Sequence, residues 1–288
     1  MLKYILFLLL LVSATACSND IDRNITTDLQ VEGKEIFNVS LALEEPLYYA
    51  FLTLDQYRTA KNDTLKSNDS LPKVPIVPGC PLIGIDETLK LVTLTFSKQV
   101  DCSSQKLKRV GKITLQFLSP NVLESNVLMV YDQYSIGTTK IEGTRVFKQT
   151  RGVFPQSRRT ELFEDMLIID EFGSSTKISG SFGHQLSFQN GTLLEYKTSG
   201  NLEGRNLTGR KIKMTQTNPR IYKTNCVKQG IVLASEGLEN WEIFRTPTQS
   251  LRHNLEYQQE GACEPKAVIA LSDGRTLVFR QEGTELGK

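Results

Sequence analysis

Residues 178–200 read ISGSFGHQLSFQNGTLLEYKTSG, the clearest hairpin pattern in the chain. Ile178, Phe182, Leu186 and Phe188 fall at even spacing, so in an extended chain they share one face. Asn190-Gly191 tolerates the positive φ angles of a tight reversal, and Leu194 and Tyr196 form the apolar pair of the returning strand. A two-residue loop would set Leu186 opposite Glu195 and leave the two apolar faces on opposite sides. A three-residue loop brings Leu194 or Tyr196 opposite Leu186. Register follows the buried face, so a Gly bulge is expected at this hairpin.

The same grammar extends outward in both directions. Residues 91–96, 112–117 and 140–147 are short runs rich in β-branched and aromatic residues, separated by turn residues. Asp273-Gly274 marks a second hairpin, between residues 267–271 and 276–280. Everything from Cys80 onward therefore reads as β. The expected fold is all-β, an antiparallel meander forming a curled sheet, sandwich or open barrel, with one N-terminal helix.

That helix is expected over residues 41–61. Pro46 suits a first helical turn after Glu44 and Glu45, and Leu47, Phe51 and Leu54 recur at i, i+4, i+7, with Tyr48 and Leu52 widening the stripe. It is expected to pack on the body. Before it, residues 17–40 are read as a tether, polar from Ser18 to Gln30 with Asp20, Asp22 and Asp28. After it, residues 62–79 read as a linker stiffened by Pro72, Pro75 and Pro78. Within that stretch Asp63-Thr64-Leu65 and Asp69-Ser70-Leu71 resemble the three-residue O-glycosylation acceptor of Bacteroidota envelope proteins, and a solvated linker is the simpler reading. The β domain takes residues 80–281, and 282–288 form a short tail.

Residues 1–16 have the layout of a secretory signal peptide: Lys3, an apolar run from Tyr4 to Val12, then the small residues Ser13 to Ala16. The run is too short to span a bilayer. Ala14-Thr15-Ala16 fits an ordinary cleavage site, and with Cys17 it also resembles a bacterial lipobox, although Ala14 stands where Leu is usual. Cysteine arithmetic favours the second reading. The chain holds 5 Cys; acylation of Cys17 leaves Cys80, Cys102, Cys226 and Cys263, an even set in an oxidising compartment. Four cysteines allow three pairings, of which Cys80–Cys102 with Cys226–Cys263 closes the shorter loops. Buried free thiols are the other reading, and without any C-x-x-C spacing a zinc site is not expected.

Several of these motifs occur together and in order: Gly79-Cys80-Pro81, Thr93-Leu94-Thr95-Phe96, Cys102, Gly111-Lys112-Ile113, residues 140–145 (KIEGTR), then Cys226 and Cys263. The ordering resembles a family of Bacteroidota envelope lipoproteins with a Cys-Pro-led β domain, over roughly residues 79–280. The single Trp241 departs from relatives that carry more tryptophan. The resemblance implies a lipid-anchored envelope protein of the outer membrane with a β-rich body. The family has no assigned reaction, so it supplies no catalytic residue.

The sequence carries few signatures of catalytic or binding chemistry. Net charge is +2, from 34 Lys+Arg and 32 Asp+Glu, which gives no footprint for nucleic acid. The 2 histidines show no metal spacing; His184 reads as a packed, hydrogen-bonded core residue, and His253, between Arg252 and Asn254, as a surface one. No nucleophile elbow, P-loop or dinucleotide fingerprint is present. Glu164-Asp165 and Asp170-Glu171 could furnish a two-carboxylate hydrolase, but neighbours on a strand point to opposite faces, and both doublets read as solvated strand ends. Tyr131 and Tyr134 read as core or edge residues, and residues 200–205 (GNLEGR) as a strand with bends rather than a phosphate cradle. No catalytic residue, metal or cofactor is expected. The function expected is that of a non-catalytic lipoprotein, held to the membrane through its lipid and binding or scaffolding an envelope protein or glycan. The alternatives are a half-barrel carrier of acyl chains and, third, a carboxylate-based glycan hydrolase.

Overall fold

The computed structural model describes residues 19–65, 75–97, 107–150, 156–281 and 286–287. Among them, fifteen strands form one sheet. They are β1 (Leu82–Asp86), β2 (Leu91–Phe96), β3 (Arg109–Leu118), β4 (Glu124–Ile136), β5 (Thr139–Glu142), β6 (Thr144–Thr150), β7 (Gln156–Ile169) and β8 (Ser175–Gln189). The second half adds β9 (Thr192–Arg205), β10 (Lys211–Lys223), β11 (Glu236–Phe244), β12 (Ser250–Gly261), β13 (Glu264–Ala270), β14 (Thr276–Arg280) and β15 (Leu286–Gly287). Neighbours in sequence are neighbours in the sheet and pair antiparallel, with β5 and β6 sharing the space between β4 and β7. The path does not return on itself, so the meander is a curled sheet and not a closed barrel.

The hairpin at residues 178–200 solves its register differently from the expected Gly bulge. Asn190 and Gly191 both take positive φ, 49° and 75°, and close a two-residue loop with Gln189 opposite Thr192. The ladder then shifts one residue between Ser187 and Phe188, which brings Leu186 opposite Tyr196. The extra residue is Leu194, which faces solvent at 47% exposure while Leu193 turns inward. Burial of the Leu186 face thus governs the register, but the bulge lies three residues beyond the glycine. The second hairpin, β13 to β14, forms around Asp273-Gly274 as expected.

What fills the curl is helical, and it starts much earlier than residue 41. Helix α1 spans Asn19–Glu44, where the sequence reads as a tether. Leu29, Ile36, Phe37, Val39, Leu41, Ala42 and Leu43 are buried, and so are Glu32, Glu35, Ser40 and Glu44. The carboxylates interrupt the apolar stripe, and within residues 29–44 only Gln30, Val31 and Lys34 are exposed, so the segment shows no clean division into an apolar and a polar face. Pro46 then stops it, since the residue before a proline is driven out of the helical region. A short α2 (Leu47–Phe51) follows, entirely buried. Leu52 is extended, with φ −72° and ψ 148°, and α3 (Leu54–Leu65) starts afresh. Thr53 and Gln56 exchange side-chain to backbone hydrogen bonds of 2.8 and 3.2 Å across its first turn, a reciprocal capping box.

The helical segment touches strands from both ends of the sheet. Phe37 stacks on Phe279 of β14 at 4.4 Å between centroids; Tyr49 meets Phe96 of β2 at 5.9 Å; Phe51 sits against Phe147, His184 and Tyr196 in between. The sheet therefore wraps around its own N-terminal segment. Gly33 permits the approach to β14: a Cβ there would lie 2.5 Å from Leu277 Cδ1. Cys226, in α4 (Thr224–Lys228), is disulfide-bonded to Cys263 at the β12–β13 turn. Cys80 is also disulfide-bonded, and Cys102 lies outside the described residues. So do Cys17, residues 1–16 and Asp69-Ser70-Leu71, while Asp63-Thr64-Leu65 forms the last residues of α3.

Candidate functional site

Strand alternation places four arginines on the concave face, where the sheet meets the helix. Each lies in phase with apolar neighbours: Arg145 with Phe147, Arg159 and Glu161 with Phe163, Arg220 with Tyr222. Arg109 Nε donates to Glu45 Oε1 at 2.6 Å, both side chains fully buried. Tyr134 and Tyr49 donate to the same carboxylate at 2.6 and 3.0 Å. Tyr131 and Tyr134, three apart, both point inward because Gln133 takes φ 50° in a bulge opposite Gly111.

Arg145 Nε donates to Glu161 Oε1 at 2.6 Å, and its Nη1 to the Leu43 carbonyl at 2.9 Å. His184 lies 2.9 Å from Glu161 Oε2 and 3.2 Å from Thr198 Oγ1. Burial alone would raise the Glu161 carboxyl, but the Arg145 charge and the His184 bond outweigh it and hold it at about 2. Burial holds His184 below its ordinary value despite Glu161. The imidazole is thus neutral, with Nε2–H donating to the carboxylate and Nδ1 accepting from Thr198.

The third cluster has one guanidinium between two carboxylates. Arg220 Nη1 lies 2.9 Å from Glu44 Oε1 and 3.3 Å from Glu239 Oε1. Ser40 and Trp241 donate to Glu239 Oε2 at 2.9 and 2.8 Å, and Tyr257 donates to Glu44. Burial, helped by the nearby Glu239 charge, pushes Glu44 up to about 7 against the pull of Arg220. Glu35 also rises to about 7, again through burial, with only Thr176 and the Leu207 amide to hold it.

His253 is fully buried on β12 rather than at the surface. It shares the inward face with Leu255 and Tyr257, stands opposite Trp241, and its Nε2 is 3.3 Å from Glu32 Oε2. Its polar neighbours Arg252 and Asn254 occupy the outward phase, and the alternation, not the flanking polarity, is the signal that places it. These clusters join helix to sheet. They are enclosed, and their residue types read chemically as ion pairs rather than as an acid and base facing a cleft.

The outward phase carries the accessible chemistry. A bulge between Phe163 and Met166 puts Asp165 at φ 53°, where it pairs with Lys177 at 3.0 Å. Together with Ser179, Glu203, Arg205 and Lys211 it lines a polar depression of about 380 Å³ across β7–β10. Register aligns Lys177, Arg205 and Lys211 in one row. The close passage of β9 here requires Gly204, where a Cβ would fall 2.0 Å from the Lys177 carbonyl oxygen. Glu164 is exposed, and Asp170 caps the β7–β8 turn through the Phe172 and Ser174 amides, so the acidic doublets occupy a bulge and a turn. Among the described residues no cluster of three or more His, Cys, Asp or Glu could hold a metal ion, and no helix is long and apolar enough to cross a membrane. No protein-family model, curated protein or solved structure matches the chain.

Proposed function

We propose that this protein is a non-catalytic envelope lipoprotein, acylated at Cys17, whose β body binds or scaffolds another component of the outer membrane. The observation that carries the reading is the occupied concave face. An acyl-chain carrier needs an apolar hollow, and here α1 and α2 take that place. Surface chemistry is left to the convex side, where the Lys177–Arg205–Lys211 row suits a glycan or protein bearing acidic groups. The N-terminal helix also favours a close anchor. Asn19, two residues after Cys17, is already helical, and the ten residues from there to Leu29 advance only about 15 Å in helical form.

The test is cell fractionation with partner mapping. In a Gram-negative host, the wild-type chain is expected in the outer-membrane fraction and Cys17→Ser in the soluble one. Crosslinking on intact cells should give a specific partner that a Lys177→Glu, Lys211→Glu double variant loses. Equal membrane retention of Cys17→Ser would refute the anchor. Turnover of an envelope polysaccharide by the purified body would refute the non-catalytic reading.

A further inference from the structure

At the end of the sheet where the α2–α3 turn passes β3 and β4, a cleft of about 200 Å³ opens beside the helical core. Leu52, Leu54, Phe117, Val127 and Phe147 give it an apolar wall, Thr53, Ser125, Asn126 and Gln149 complete it with polar groups, and Arg159 of β7 also lines it. Arg159 differs from the other concave-face arginines. Arg109, Arg145 and Arg220 each meet a carboxylate within 2.9 Å. Arg159, 8% exposed, has no carboxylate partner among the described residues. Its Nη1 donates to the Ala50 carbonyl at the end of α2, Nη2 lies 3.5 Å from the Phe51 carbonyl, and the guanidinium rests 5.4 Å over the Phe51 ring. Among the described residues its Nε–H finds no acceptor. A buried cation with an unsatisfied donor is costly unless something negative completes it.

We propose that this cleft binds a small apolar carboxylic acid, its carboxylate on Arg159 and its hydrocarbon among the Leu52, Leu54, Phe117, Val127 and Phe147 side chains. The helix-end carbonyls and the Phe51 ring hold the guanidinium in place, so binding need not order it. A carboxylate in the cleft would give the guanidinium the charge-assisted partner that it lacks among the described residues. Burial draws the Arg159 pKa down to about 10, so the side chain is still a cation at neutral pH. Size sets the ligand class. A cavity of about 150 Å³ lined by aliphatic and aromatic groups accommodates benzene, so this one suits an acid of about six to eight carbons. Longer acyl chains would overrun a cleft of this volume. The inference is independent of the lipid anchor and of the convex surface.

Calorimetric titration of the purified soluble chain with hexanoate, 1-hexanol and dodecanoate tests it. Hexanoate should bind at least about tenfold more tightly than the other two, the alcohol lacking the charge-assisted bond and the long acid lacking room. Arg159→Gln should abolish the preference for hexanoate over hexanol. Leu54→Trp, which fills the cleft from its partly exposed edge and leaves Arg159 intact, should abolish hexanoate binding. If Arg159→Gln fails to fold, the wild-type ligand series and Leu54→Trp decide alone. Equal binding of hexanoate and hexanol, unchanged hexanoate binding in Leu54→Trp, or no hexanoate binding at millimolar concentration would overturn the site.

Discussion

Glu161 shows how the charged interior works residue by residue. It serves Arg145 and His184 at once and has no exposure to share the load with water. Removing one member of such a group strands the others, so Glu161→Ala should destabilise the fold by roughly 3–5 kcal/mol, measured by urea unfolding. The paired replacement Glu161→Leu with Arg145→Met should recover most of that loss, because no buried charge is left behind. The pH profile follows from opposite shifts. Glu35 and Glu44 rise to about 7 from an unfolded value of 4.5. Between those values the folded state holds protons the unfolded chain has released, so stability falls as pH climbs from about 4.5 past 7. Glu161 is depressed to about 2, and its contribution, present above 4.5, is lost as pH falls toward 2. Stability should therefore peak near pH 4–5 and decline toward pH 8. A urea midpoint that is flat or rising between pH 5 and 7.5 would contradict these assignments, and Glu35→Gln should flatten part of the decline.

Elements were legible to the degree that their solvent exposure was one-sided. The strands have water on one face and core on the other, so β2, β3, β8 and β14 follow from their alternation. The hairpin at Asn190-Gly191 was readable in its turn and in the pairing of Leu186 with Tyr196, but not in the residue expelled. Leu193 and Leu194 are chemically alike, and only the three-dimensional register chooses between them. The helices are hard to read from sequence for the opposite reason. Residues 41–61 contain parts of three helices whose stripes run together, and residues 19–40 hide a helix because Glu32 and Glu35 are buried against partners distant in sequence. The capping sequence Thr53-Leu54-Asp55-Gln56 was the one local sign of a restart. Thr53→Ala should cost about 0.5–2 kcal/mol, seen as a lowered urea midpoint. Gly204→Ala is a harsher element-scale test: its Cβ meets backbone rather than a flexible side chain, so β8 and β9 must separate. The double-strand shift should cost at least about 1–3 kcal/mol and disturb the Lys177–Arg205–Lys211 row.

At the scale of the whole molecule the long meander has two free ends and one filling. The Cys226–Cys263 bridge constrains the later half across a separation of 37 residues, and its removal as a double Cys→Ala variant should cost about 2–4 kcal/mol by loop entropy. More depends on the N-terminal segment, whose Glu32, Glu44, Glu45, Phe37 and Tyr49 bond or pack against strands from β2 to β14. A filled curl of this kind would present only its convex face and rims to partners, which is the basis of the proposed binding role. Native-state hydrogen exchange tests the filling directly. The amides of residues 36–44 in α1 should exchange as slowly as those of Ile113 and Leu255 in the sheet, through global unfolding alone. Fast exchange across residues 36–44, with the strands still protected, would mean that the helix is a dispensable appendage and the concave face an open hollow.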